Sequence, residues 1–369
     1  MKEGKRDIEE RWATARNFEE PDRVPVGIGV GNPFFCSILG YNLKDFYRNL
    51  DLNLKIQMEG SKWAYENLGD DRISYGRSLR RISPNIGSVS EGIVWDCLIR
   101  LPTEESPWLP PWIVPKFITP EEIEKLEAPD PRECVKRLEK HYLRAFGVKI
   151  RAKLPPGIHP PCSAAGSLVG TERLYIYLYR YPNLMHRLFQ KLLKSFFVLR
   201  DYADDQTGRT ITRVGLADDH AGYLSEKMYR KFVLPYNRQI YEKYGKEGRS
   251  LHMDSQTDHI AHILRDEYRL DSLDLGWQAD ILKIKEALDG KVFFNGNMES
   301  RLLVASPYEG IRRAVEHCIY SAAPGGGYAF DLGGETYAGI DVNRLKYTIE
   351  YAKKIGKYPL KKMAVKQRR

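Results

Sequence analysis

The chain has 369 residues, of which 42% are apolar and 29% charged, and its formal net charge is +9. A chain this long buries a sizeable core without staples, and barrels routinely exceed about 250 residues as one domain. Its Lys and Arg residues are interleaved with acids, which argues against a nucleic-acid stripe; the densest basic run, Lys361, Lys362, Lys366, Arg368 and Arg369, reads as a solvated tail.

The first residues, through Glu20, read as a charged helix stopped by Pro21, with no apolar stretch of a signal peptide. No apolar run approaches the roughly 18 residues of a membrane span. Five scattered cysteines (Cys36, Cys97, Cys134, Cys162 and Cys318) without a CxxC pair point to a reducing compartment. A cytoplasmic location is therefore expected. The barrel itself is expected over 21–357, with 358–369 as the basic tail.

Arg23 to Val30 has the β-branched density of a buried strand, ended by Gly31-Asn32-Pro33. Between 40 and 105 the signals mix, with short alternating segments such as Gly92-Ile93-Val94-Trp95. Ser106 to Trp112 is too proline-rich for a helix or central strand and reads as a loop packed by its own tryptophans. A helix starts at Thr119, with Pro120 in the first turn and Glu122 completing a capping box. Similar start signals stand at Ser225 before Glu226 and at Ser306-Pro307-Tyr308-Glu309.

From here short strands alternate with amphipathic stretches. The strands are expected at Val214–Ala217, Ser250–Met253, Ser272–Leu275, Lys291–Phe294 and Gly327–Phe330. One long amphipathic helix is expected over 228–240, and others near 260–264 and 311–319. This alternation implies a parallel sheet with helical crossovers. With no Gly-x-Gly-x-x-Gly after a first strand and no P-loop, it favours an α/β fold of the (β/α)₈ TIM-barrel type with an N-terminal helical extension.

Each strand runs into polar residues, and in a parallel barrel those ends meet at one mouth. Asp218 and Asp219 are candidate acid–base carboxylates, with helix capping as the plainer alternative. His252 and Asp254, two apart on an extended segment, point to one side and suit a metal or a substrate proton, with structural hydrogen bonding as the plainer alternative. Glu335 is the oxygen best placed to complete a zinc site. His220, Trp277, Gln278, Asn295 and Asn297 are candidate substrate contacts. Pro324 to Gly327 reads as a tight turn, and His259 and His262 as surface or packing residues.

The same segments resemble the uroporphyrinogen decarboxylase-like superfamily, which holds the haem-pathway decarboxylase and the cobamide-dependent methyltransferases. The resemblance is carried by Pro21-Asp22-Arg23-Val24-Pro25-Val26 and by Gly166-Ser167-Leu168-Val169-Gly170-Thr171-Glu172. It continues in Leu216 to Gly222, Phe232 to Tyr236, Leu251 to Ser255, Asn295-Gly296-Asn297, and Gly326-Gly327-Tyr328 with Asn343 downstream. It implies a (β/α)₈ barrel. The decarboxylases carry an arginine-containing segment after the first strand, where this chain reads Gly31-Asn32-Pro33-Phe34-Phe35-Cys36-Ser37. The methyltransferases hold zinc with His-x-Cys and a later Cys, where this chain has His252-x-Asp254 and Gly334 beside Glu335. The resemblance therefore implies the methyltransferase branch: a methyl group moved between a methylated substrate, a corrinoid and an acceptor. Zinc would be held by His252, Asp254 and Glu335, and a corrinoid protein is an implied partner. Tetrapyrrole decarboxylation, with Asp218 or Asp219 stabilising positive charge on a pyrrole, is the alternative. A non-catalytic corrinoid- or partner-binding barrel is the third.

Overall fold

A computed structural model describes residues 4–72 and 82–360, so most of the basic tail lies outside the described residues. Two compact units divide the chain. One is formed within Gly40–Ile56 and Ser83–His252, the other within Met1–Leu39, Gln57–Ile82 and Met253–Arg369.

In the first unit, local signals set the helices. Thr119 accepts from the Glu122 amide at 3.2 Å, and the Glu122 carboxylate accepts from the Thr119 amide at 2.9 Å, fixing the start of helix Pro120–Glu124. Ser225 caps Glu226–Phe232. The amphipathic stretch expected as one helix is two, because Pro235, lacking an N–H and crowding the preceding turn, opens a second helix over Leu234–Tyr244. Gly92-Ile93-Val94 also departs from expectation: it lies in helix Ser90–Val94. Residues 91 to 94 are all buried there, so no alternation exists for a strand pattern to follow.

The proline-rich loop leads into β2 (Trp112–Ile113), which pairs antiparallel with β1 (Ile99–Arg100). Its tryptophans do not pack it. Trp108 and Trp112 stay 42% and 40% exposed, and Pro110 and Pro111 restrict the backbone without them. β3 (Arg213–Ala217) and β4 (Gly248–Met253) run parallel with Leu216 opposite Leu251 and Ala217 opposite His252. Two helices make the crossover, so both strands finish at the same end.

The second unit opens with the expected helix, Lys5–Arg16. Beyond it Arg23 to Val26 and Ile28 are buried, yet the segment forms isolated bridges instead of a regular strand: Arg23 to Lys357 and Val26 to Phe330. Pro25 has no amide hydrogen to continue a ladder, although its carbonyl still accepts from Phe330 at 2.8 Å. A buried carboxylate, Asp71, holds this corner. It accepts from Arg11 at 2.9 Å, Arg23 at 2.6 and 2.7 Å, and the Val26 amide at 2.7 Å.

β5 (Ser272–Leu275), β6 (Phe293–Met298) and β7 (Tyr328–Leu332) are parallel, with Asp274 opposite Asn295 and Asn297 opposite Asp331. Helices Ile281–Leu288 and Tyr308–Ala322 cross between them. β6 begins two residues later than Lys291, so Asn295 to Asn297 lie within the strand and not after it. Ser306 does not cap the next helix; its amide closes the preceding turn onto Leu302, and Pro307 takes the cap position. Gly325, Gly326 and Gly327 all have φ between 73° and 76°, and a Cβ at Gly326 would stand 2.4 Å from the Glu19 carbonyl oxygen. That is the turn the glycines suggested.

All five cysteines are buried and unpaired as disulfides. No described helix is long and apolar enough to cross a membrane.

Candidate active site

The most chemically loaded part of the first unit lies at the end of β3. Asp218, the residue after the strand, is fully buried. One carboxylate oxygen accepts from the Ser163 amide at 3.0 Å and hydroxyl at 2.8 Å, the other from the Asn237 amide group at 2.7 Å. Its own amide donates to the His252 carbonyl at 3.2 Å. Burial pushes the Asp218 pKa up to about 6, against the lowering pull of Asn237 and Ser163. Repulsion from Asp219, its expected carboxylate partner, adds to that rise, while the groups clamping Asp218 are Ser163 and Asn237.

Asp219 begins a short 3₁₀ turn, Asp219–Tyr223. The next residue, His220, has Nε2 3.0 Å from the Thr171 hydroxyl, and its carbonyl accepts from Tyr175 at 2.9 Å. Burial lowers the His220 pKa. Gly166 makes room for this ring, since a Cβ there would come within 2.5 Å of it.

Sequence reasoning passed over the strongest charge pair nearby. Glu91, with no exposed side-chain surface, accepts from the His159 amide at 2.7 Å and lies 2.8 Å from His159 Nδ1. The hydrogen bond to Glu91 raises the His159 pKa, over the opposing effect of burial, and Asp218 and Asp219 add to the rise. Burial pushes Glu91 up, but the His159 bonds overcome it and hold the carboxyl below its usual value. Each partner thus favours the charged form of the other, imidazolium with carboxylate. Its signal in the sequence was slight: a histidine inside Pro155-Pro156-Gly157-Ile158-His159-Pro160-Pro161, and a glutamate in an otherwise apolar helix.

His159 keeps 34% of its side chain exposed. It lines a cavity of about 690 Å³ that also meets Ser90, Arg200 and the length of β3 from Arg213 to Ala217. That volume falls in the range of small-molecule sites.

In the second unit the polar residues of β5 to β7 meet each other. Asn295 donates to Asp274 at 2.6 Å and to Asp331 at 3.5 Å. Asp331 also accepts from the Gly29 and Leu332 amides at 3.0 and 2.7 Å. Burial raises its pKa to about 8, with Gly29 pulling down and Asp274 pushing up, so it carries a proton at neutral pH. Neither aspartate stood among the expected site residues. Asn297 is buried and spends its amide hydrogens on the Gly276 and Ala279 carbonyls, at 3.1 and 2.8 Å. Trp277 is 39% exposed beneath the Arg301 guanidinium, 4.8 Å from the ring centre, and Gln278 and Glu335 are exposed.

Among the described residues no three His, Cys, Asp or Glu side chains are grouped to hold a metal ion. The expected zinc ligands, His252, Asp254 and Glu335, are an imidazole and two carboxylates, donors that zinc accepts.

The uroporphyrinogen decarboxylase (URO-D) family model matches residues 97–355, more than half of the chain. The chain belongs to this family. Curated relatives include the uroporphyrinogen decarboxylases of Pseudomonas syringae pv. tomato, 32% identical over 42% of this chain and 44% of that protein, and of Chlorobaculum tepidum, 27% identical over 48% and 50%. The chain thus spans about half the length of the curated relatives it matches. Among solved structures, a methyltransferase from Methanosarcina mazei aligns over 94% of this chain and 98% of that one, with a TM-score of 0.64 and 15% identity. That likeness speaks to the fold, which is α/β and of the TIM-barrel type expected from the strand–helix alternation. The curated relatives are all decarboxylases, so the family is one of enzymes.

Proposed function

We propose that this chain transfers a methyl group from a methylated small molecule to a corrinoid, free or carried by a partner protein, and on to an acceptor. The observation that carries the reading is His159 on the wall of the β3 cavity, paired at 2.8 Å with the buried Glu91. When a methyl group leaves an oxygen, that oxygen keeps the bonding electrons and needs a proton. An imidazolium held charged by a buried glutamate supplies one. Asp218 positions the Ser163 and Asn237 segments around the strand end, while Asp219 and His220 orient the substrate. We assign His252, at the end of β4, to substrate contact. No step is routed through a metal.

The segment after Ile28 supports this choice. It forms helix Asn32–Ile38, whose Phe34, Phe35 and Cys36 are buried and which carries no arginine. A substrate bearing eight carboxylates would find no charge-assisted partner there. The second reading, decarboxylation of a tetrapyrrole, is favoured by the curated relatives; His159 would then protonate the carbon that loses carbon dioxide.

Purified protein is incubated with a reduced corrinoid and a panel of methoxylated compounds while the visible spectrum of the corrinoid is followed, and in parallel with uroporphyrinogen III. A spectral change that disappears in His159→Gln supports methyl transfer. Stepwise seven-, six- and five-carboxyl products from uroporphyrinogen III would replace it with the second reading. Inertness in both assays would leave a binding barrel.

A further inference from the structure

A second, smaller pocket lies in the first unit, between helix Pro131–Phe146 and the segment from Gly92 to Ile99. It has a volume of about 90 Å³, room for about three waters at their liquid share. Arg137, Lys140, His141 and Arg144 line one side of it; Asp96 and Cys97 line the other. The helix places residues three, four and seven apart on one face, so these four side chains converge by construction.

The charge balance of this pocket is lopsided. Arg137 donates to the Val94 carbonyl and Arg144 to the Ile99 carbonyl, the latter at 2.9 Å, so each guanidinium is anchored on a neutral group with further N–H donors to offer. Lys116 reaches the same segment from outside, its ammonium 3.2 Å from the Asp96 carbonyl. Asp96 is the one acid lining the pocket among the described residues. Burial holds the Cys97 thiol up at about 11, so it adds no negative charge.

The decisive feature is His141. It is 6% exposed, and its Nε2 is buried without a hydrogen-bond partner. Burial, with Arg144 beside it, pushes its pKa down to about 4, so the ring is neutral. With Nε2 protonated, that neutral ring is a buried donor lacking its acceptor.

We propose that this pocket binds a tetrahedral oxyanion, phosphate or the phosphoryl end of a small monoester, with His141 Nε2 and the free N–H groups of Arg137, Lys140 and Arg144 as donors. The anion satisfies the orphaned imidazole and offsets the clustered positive charge in one step. Because the pocket joins helix Pro131–Phe146 to the segment that follows Glu91, an occupant also braces the helix carrying the proposed acid's partner. Binding itself does not depend on the methyl-transfer reading.

Isothermal titration of the full chain with inorganic phosphate, and with glycerol 3-phosphate, measures occupancy. Imidazole ¹⁵N spectra of the same samples report on His141. Saturable binding with a shift of the His141 Nε2 resonance is the expected result. Lys140→Glu, an exposed change that should leave the urea midpoint unmoved, is expected to weaken phosphate binding by about tenfold. Arg144→Gln is expected to act in the same direction. Equal binding of the monoester marks a phosphoryl terminus as the ligand; phosphate alone marks the free anion. Absence of saturable heat, an unmoved His141 signal in the wild type, or unchanged affinity in both variants would overturn the proposal.

Discussion

The end of β3 and the end of β7 each carry an aspartate, fully buried in the first and half-buried in the second, and the two are handled differently. Asp218 is gripped by three donors from Ser163 and Asn237, and its pKa rises to about 6. Asp331 has two backbone amides and a long contact from Asn295, faces Asp274, and rises to about 8. Desolvation therefore leaves a carboxylate where short side-chain donors clamp it and a protonated acid where a second carboxyl, Asp274, pushes the same way. The β3 end also has what the β7 cluster lacks, a fixed ion pair opening on a large cavity. We read the first region as the seat of chemistry and the second as a clamp between strands.

The largest expected effect tests that division. His159→Gln should lower turnover by about 10²–10⁴-fold with the fold intact, the span typical of losing a positioned proton donor. Activity should fall as pH rises through the raised His159 pKa, because the donor must be protonated. Glu91→Gln should move that fall to lower pH, read from a rate–pH profile. An equal loss of turnover in Asp331→Asn would break the comparison.

Next comes Asp218→Ala, which orphans three buried donors. A destabilisation of about 3 kcal/mol or more is expected, measured by urea unfolding at pH 8. Asp331→Asn should be milder, changing stability by less than about 1 kcal/mol below about pH 4, where the amide resembles a carboxyl protonated in both the native and the unfolded chain. The pH dependence sharpens the contrast further. Both carboxyls are raised above their unfolded values, so the native state holds protons the unfolded chain has released. Their contribution is full below about pH 3.9, and is lost as pH rises to about 6 for Asp218 and about 8 for Asp331. Wild-type stability relative to Asp331→Asn should thus decline between about pH 4 and 8 and then level off. A flat difference would mean Asp331 is ionised throughout.

Much of the frame was legible in the sequence because its signals are local. Alternating β-branched strands, the Thr119 capping box and the glycine turn at 325–327 each declare themselves within a few residues. The errors came where burial overrides pattern. Helix Ser90–Val94 is buried almost all round and shows no period, while β6 carries Asn295, Gly296 and Asn297 inside the strand, where polar residues look like an ending. The site was less legible, since its partners are remote: Glu91 and His159 lie 68 positions apart, and Ser163 and Asp218 lie 55 apart. Spacing along the chain suggested Asp218 with Asp219, the nearest pair available to a reader of one dimension.

The Val26–Phe330 bridge sets an order of events during synthesis. Every segment of the unit formed by Gly40–Ile56 and Ser83–His252 exists once His252 has been made, whereas the other unit must wait for β7. Contacts so far apart form late, because the loop between them has to be closed first. The apolar run Val24, Val26 and Ile28 therefore spends most of translation without its eventual neighbour, a state in which extended hydrophobic segments seek other chains. Arg11, Asp22 and Arg23, which later converge with Asp71, flank that run with charge in the meantime, and so act as gatekeepers before they become part of the native core.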